Sequence, residues 1–77
     1  MQNLEDINCI INDYKIHNNY NKVLYESEEY INKLNNIPKI GQNYNLLVMF
    51  CSENQKINDS IKYFKKMLEY KEFQNID

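Results

Sequence analysis

The chain is poor in the residues that interrupt regular structure. Its 77 residues include one glycine and one proline, and they lack tryptophan, arginine, alanine and threonine. An all-β fold with many tight turns needs more glycine and proline than this, so the composition argues against one. Two cysteines are too few for a disulfide framework. We expect Cys9 and Cys51 to be reduced thiols buried in the core of an intracellular protein.

The charge and hydropathy patterns argue against two classes of partner. The net charge is −2, and no basic stripe is present that could neutralise phosphates, so we do not expect nucleic-acid binding. The longest apolar run, residues 46–51, is too short to span a bilayer. The amino terminus, MQNLEDINC, lacks the basic start and apolar core of a secretory signal. The sequence therefore predicts a cytoplasmic protein that binds neither nucleic acid nor membrane.

Asparagine, isoleucine, lysine and tyrosine are abundant, and their AT-rich codons suggest an AT-rich genome. Seven residues are tyrosine. Four of them stand at segment ends or on polar faces, where we expect exposure: Tyr20, Tyr25, Tyr44 and Tyr70. Exposed tyrosine is enriched at protein interfaces, although codon usage explains the excess equally well.

Apolar residues that recur every three or four positions predict four helices. The first runs from Leu4 to about His17 and ends where Asn18 or Asn19 adopts the left-handed conformation. The second covers residues 23–34 and ends before Pro38, with residues 39–42 as a connector.

The third predicted helix covers residues 43–53. Its six consecutive apolar residues, 46–51, also fit a buried strand, but no second convincing strand exists to pair with it. The fourth begins at Asn58 or Asp59, either of which can cap it. Its core face is expected to hold Ile61, Phe64, Met67 and Leu68. We predict an all-α domain over residues 1–70, made of two antiparallel helical hairpins, with a frayed tail at 71–77.

The two hairpins are offset by about 37 residues, which is typical of helical repeats. Residues 45–47 with Phe50 are similar to the first helix of a tetratricopeptide repeat, and residues 60–69 are similar to its second helix. A small helical bundle is the alternative. The resemblance implies a concave groove lined by the first helix of each hairpin, here by Asn8, Asn12, Lys15, Ile16, Val48, Cys51 and Ser52. Family members that clamp a terminal carboxylate use paired Lys, Arg and Asn there. Asn12 is the one suggestive match, so we do not expect a clamp.

No catalytic, cofactor-binding or metal-binding set is visible in the sequence. His17 is the single histidine and has no partner at a ligand spacing. Cys51 lies late in a predicted helix, where the dipole disfavours a thiolate, so core packing is expected. The carboxylates of residues 26, 28 and 29 and the lysines of residues 62, 65 and 66 are typical of solvated helix faces. We predict that the protein is not an enzyme.

The sequence therefore predicts a non-enzymatic module that binds another protein through a helix-lined surface. The candidate contact residues are Asn8, Asn12, Lys15, Ile16, Tyr25, Tyr44, Val48, Ser52 and Tyr70. Two alternatives remain open. One is a homo-oligomeric structural protein, with the apolar face of residues 46–51 closing a dimer core. The other is a small inhibitor from a phage or mobile element that blocks a host protein.

Overall fold

A computed structural model describes residues 6–70, which form four helices: α1 (Asn8–His17), α2 (Tyr20–Asn32), α3 (Ile37–Glu53) and α4 (Ile57–Glu69). No strand occurs within these residues, so the all-α prediction is confirmed and residues 46–51 are helical. The expected start of the first helix at Leu4 and the expected tail at 71–77 lie outside the described residues. Among residues 6–70, no helix is long and apolar enough to cross a membrane.

Two adjacent asparagines make the turn of the first hairpin. Asn18 adopts the left-handed conformation, with φ 54° and ψ 43°, and its N–H donates to the Tyr14 carbonyl at 2.6 Å. Asn19 caps α2, because its side-chain oxygen accepts from the Lys22 N–H at 3.1 Å. The prediction that an asparagine replaces glycine at this helix end is confirmed.

Pro38 begins a helix instead of ending one, which corrects the predicted connector. The α2 helix already ends at Asn32, and Asn36 caps α3 by accepting from the Lys39 N–H at 2.9 Å. Proline is favoured in the first turn of a helix because its missing N–H has no intrahelical partner there. The predicted connector at 39–42 is therefore the first part of α3, a helix of 17 residues.

The second hairpin turn ends α3 with a left-handed residue, Gln55, at φ 61°. The Lys56 N–H donates to the Cys51 carbonyl, and the Gln55 N–H donates to the Ser52 carbonyl, both at 2.9 Å. This pair of bonds is the Schellman motif. Because the motif occupies residues 54–56, α4 begins at Ile57, and the prediction that Asn58 or Asp59 caps it is wrong.

The two hairpins repeat with an offset of 37 residues. The left-handed residues Asn18 and Gln55 are 37 positions apart. The helices that follow them, α2 and α4, are each 13 residues long and begin 37 positions apart. The expected hairpin architecture is thus present, while membership of the tetratricopeptide repeat family stays a prediction.

The core lies between the hairpins, and α3 and α4 form its most extensive helix pair. Its buried members come from three helices and from the residue before α1: Ile7, Val23, Ile31, Tyr44, Leu47, Phe50, Cys51, Tyr63 and Met67. Cys51 is fully buried, as expected, but Cys9 is exposed on α1. Leu47, Phe50 and Cys51 pack inside this chain, whereas Met49 is 50% exposed and Leu46 and Val48 are partly buried, so only part of the predicted dimer face at residues 46–51 lies at the surface.

The side chain of Asn43 links the start of α1 to α3 by a hydrogen bond. It is fully buried, its Oδ1 accepts from the Ile7 N–H at 2.9 Å, and its Nδ2 donates to the Lys39 carbonyl at 2.8 Å. A buried amide is stable only when its hydrogen bonds are made, so this residue fixes the position of α1.

Candidate interaction surface

The four predicted contact residues of α1 are all exposed. They are Asn8, Asn12, Lys15 and Ile16, and the Ile16 side chain is 75% exposed. The opposite side of α1 faces α3, because the Tyr14 ring meets the Phe50 ring edge-on at 5.1 Å and the Tyr14 hydroxyl donates to Asn54 Oδ1. The outer surface of α1 is therefore polar apart from one isolated isoleucine.

Cys51, one of the three α3 residues of the predicted groove, is fully buried, and the other two, Val48 and Ser52, do not lie beside α1. The α3 side that contacts α1 holds Phe50, and Val48 lies about 160° away from it around the helix. The Val48 carbonyl accepts a hydrogen bond from Ser60 Oγ at 3.1 Å, so this side of α3 borders α4. The structure thus separates the two halves of the predicted groove.

The tyrosines expected at the surface differ in exposure. Tyr25 is 64% exposed, whereas the expected exposure of Tyr44 is wrong, since this residue is 6% exposed. The Tyr44 ring stacks on Tyr63 and Tyr70 at centroid distances of 6.2 and 5.8 Å. Tyr70 and Tyr20 are half-buried. These rings fill the space between helices, where they bury far more apolar area than they could at the surface.

The outer face of α4 carries a row of exposed apolar side chains. We call the row the α4 stripe; it consists of Ile57, Ile61, Phe64 and Leu68, which are 59%, 48%, 45% and 47% exposed. Spacings of four, three and four residues make them consecutive neighbours on one helix face. Single exposed apolar residues are ordinary, whereas a contiguous row of large ones is often found at interaction sites.

The α4 stripe corrects the predicted core face of this helix. Met67 is buried as expected. Ile61, Phe64 and Leu68 were also expected in the core but are exposed, and Tyr63 is buried beside Met67 instead. The helix carries more apolar residues than the core of this small chain covers, so one face packs inward and another stays outside. Ile57 lies before the predicted start of this helix at Asn58 or Asp59, so the sequence does not place it on the helix face. The signal that could have found it is its spacing of four residues from Ile61.

Lysines lie on the polar side of α4, and Lys65 lies beside the stripe. Lys65 is four residues from Ile61 and three from Leu68, and among residues 6–70 it makes no ion pair. Lys62 lies 3.9 Å from the Glu28 carboxylate, and Lys66 lies over the Tyr44 ring. The α4 helix includes three lysines and two carboxylates, a net charge of +1, in a chain whose net charge is −2.

Buried hydroxyl groups connect α2 to α4 but form no reactive centre. The Tyr63 hydroxyl donates to Glu28, and the Tyr20 hydroxyl donates to Asp59 at 2.8 Å and lies 3.2 Å from the Cys51 sulfur. Burial is the main cause that raises the pKa of both tyrosines, and the hydrogen bonds add to it. Burial also raises the pKa of the Cys51 thiol, which disfavours the nucleophilic thiolate.

The remaining surface adds no further chemistry to the α4 stripe. Among residues 6–70, no group of three or more His, Cys, Asp or Glu side chains could hold a metal ion. A shallow recess between α1 and α2, lined by Ile10, Asp13 and Lys22 among others, has room for about one water molecule. Comparison with known protein families, with curated proteins and with solved structures gives no match for this chain.

Proposed function

We propose that the protein is a non-enzymatic, cytoplasmic module that binds another protein, and that the α4 stripe is the centre of the contact surface. The observation that carries the proposal is the row of four large apolar side chains, each about half exposed, along one face of α4. Large apolar groups in contact with water cost free energy that burial against a partner recovers. Fully buried apolar and aromatic anchors supply most of the affinity of protein interfaces.

The other predicted contact residues are weaker candidates for the centre of an interface. The exposed side of α1 is polar around Ile16, and Tyr25 is a single exposed ring on α2. Polar side chains at the rim of an interface contribute little to affinity. We therefore centre the proposed contact surface on the α4 stripe and leave Asn8, Asn12, Lys15 and Tyr25 outside it.

Affinity capture of the tagged protein from its native cell tests the proposal. We expect one stoichiometric partner with the wild-type chain and little of it with the double variant Ile61→Ser and Phe64→Ser. Ile16→Ser is the matched control, because it removes an exposed isoleucine from α1 and leaves α4 intact. Circular dichroism of each variant checks that the helices are retained. Partner recovery that is equal for all three chains would exclude the α4 stripe as the contact surface.

The same exposed stripe also supports the homo-oligomer as a second candidate. In that case two copies would cover each other's α4, in place of the dimer core expected at residues 46–51. Sedimentation at micromolar concentration separates the two candidates. A monomer of about 9.4 kDa is expected for the partner-binding module, whereas a dimer that dissociates on Phe64→Ser would favour the homo-oligomer.

A further inference from the structure

We propose that the partner places an amphipathic helix along the α4 stripe, with acidic side chains beside the apolar face of that helix. This inference rests on the proposed protein-binding function and specifies the kind of partner. Three observations support it: the internal repeat, the length of the stripe and the charge of α4.

The internal repeat shows what covers the corresponding row on the other hairpin. The α4 stripe lies 37 residues after a row on α2 that we call the α2 stripe: Tyr20, Leu24, Ser27 and Ile31. Ser27 and Ile31 are 0% and 2% exposed, and Tyr20 and Leu24 are partly buried. The Tyr20 ring stacks on Phe50 of α3 at 5.4 Å, so α3 packs on the first residue of the α2 stripe, and the Tyr20 hydroxyl also bonds Asp59 of α4.

The equivalent position on α4 has no helix over it within residues 6–70. In arrays of helical hairpins each unit buries its apolar face against the next. Here the first helix has a polar outer face, whereas α4 keeps an apolar one. A helix from a partner would complete on α4 the packing that α3 provides on α2.

The stripe also sets the length of that helix. Ile57 and Leu68 are 11 residues apart, which corresponds to about 16 Å along the axis, or three turns. A partner helix of about 12 residues, with apolar groups spaced by three and four positions, therefore matches it.

The charge of α4 favours an acidic partner over a second copy. Lys65 lies beside Ile61 and Leu68 and is free of ion pairs among the described residues. Acidic groups on the partner would be attracted to Lys65 and to the +1 net charge of α4. Two copies joined through their α4 stripes would instead bring lysines close to lysines, which is unfavourable.

The area of the stripe also argues against a stable homodimer. Four side chains of roughly 200 Å² each, about half exposed, offer on the order of 400 Å² per copy. Two copies would bury on the order of 800 Å² in total, which is the size of incidental crystal contacts and less than a stable dimer needs. A partner that contacts α3 as well as the α4 stripe can bury a larger interface area.

Two synthetic peptides test the inference directly. Both are helical, about 15 residues long, with leucines spaced by four, three and four residues; one has glutamates beside the leucines and the other has lysines. We measure their binding to the full chain by fluorescence anisotropy at low salt. The glutamate peptide should bind at least about tenfold more tightly than the lysine peptide.

Variants then locate the contact. The double variant Ile61→Ser and Phe64→Ser should weaken binding of the glutamate peptide by at least about tenfold. Lys65→Glu should remove most of the difference between the two peptides. The matched controls are Ile16→Ser and Lys15→Glu on α1, and both should leave binding unchanged.

Equal binding of the two peptides, or no binding of either, would overturn the inference, as would self-association through the α4 stripe. Other results test the proposed protein-binding function separately from the helix inference. A natural partner that binds the wild-type chain and the double variant equally would refute the helix-on-α4 inference but leave the protein-binding function intact. Absence of any stoichiometric partner would refute the function itself.

Discussion

The Asn43 side chain fixes the start of α1 against α3. Replacing it with alanine would leave the Ile7 N–H buried without an acceptor, which costs about 1–3 kcal/mol. We therefore expect Asn43→Ala to lower the free energy of urea unfolding by that amount. Asn45→Ala is the control, because Asn45 is exposed on the same helix and should change stability by less than about 0.5 kcal/mol. Equal losses for both variants would show that Asn43 does not have this role.

Gln55 occupies a left-handed conformation that is unfavourable for a residue with a side chain. At φ 61°, glycine avoids this steric cost, so we expect Gln55→Gly to raise the free energy of unfolding by about 1 kcal/mol. Gln42→Gly provides a control of opposite sign. Gln42 is exposed within α3, where glycine lowers stability by about 1 kcal/mol. Destabilisation by both changes would contradict the Schellman geometry.

At the scale of elements, buried tyrosine hydroxyls connect α2 to α4. Burial and the hydrogen bond to Glu28 raise the pKa of Tyr63 above its ordinary value of 10.0. Tyr63 therefore loses its proton at a lower pH in the unfolded chain than in the folded chain. The stabilisation of the fold by its neutral hydroxyl is fully present below pH 10 and is lost as the pH rises above it. We expect the thermal midpoint to fall steeply above pH 10.

Tyr63→Phe should make that alkaline decrease shallower, because the variant has no hydroxyl to ionise in the unfolded chain. Tyr25→Phe is the control, since Tyr25 is 64% exposed and its ionisation affects folding less. Thermal midpoints measured by circular dichroism between about pH 8 and 11 compare the three chains. The same pH dependence in all of them would exclude Tyr63 as its source.

The helices could be predicted where local sequence decides the structure. The α2 periodicity and a left-handed asparagine at position 18 or 19 were predicted, because apolar spacing and turn chemistry act within a few residues. The start of α3 was predicted wrongly, because Pro38 is compatible both with ending one helix and with beginning the next. The cap at Asn36, three residues before Lys39, resolves that choice in the structure.

The surface of α4 depends on tertiary contacts and could not be predicted from periodicity. Tyr63 and the α4 stripe lie on adjacent parts of one broad apolar arc. Which part faces inward is decided by the partners of Tyr63, namely Glu28 and the Tyr44 ring. The burial of Tyr44 was also not predicted, because residues 39–42 were expected to be a connector, whereas α3 continues through them.

At the scale of the whole molecule, the two hairpins are alike but their outer faces differ. The repeat of 37 residues places the α2 stripe under α3 and leaves the α4 stripe exposed. We expect the chain to be monomeric at about 10 μM, because the stripe alone offers too little area for a stable homodimer. Analytical ultracentrifugation checks this expectation. A dimer at that concentration, abolished by Phe64→Ser, would contradict it.

We propose that the α4 stripe is where this protein binds its partner. The dissociation constant of the natural partner tests this for three chains: the wild type, Ile61→Ser with Phe64→Ser, and Ile16→Ser. We expect the double variant to bind at least about tenfold more weakly, because two apolar anchors are lost, and Ile16→Ser to match the wild type. Equal dissociation constants for all three chains, with their helices intact, would exclude the α4 stripe as the contact surface.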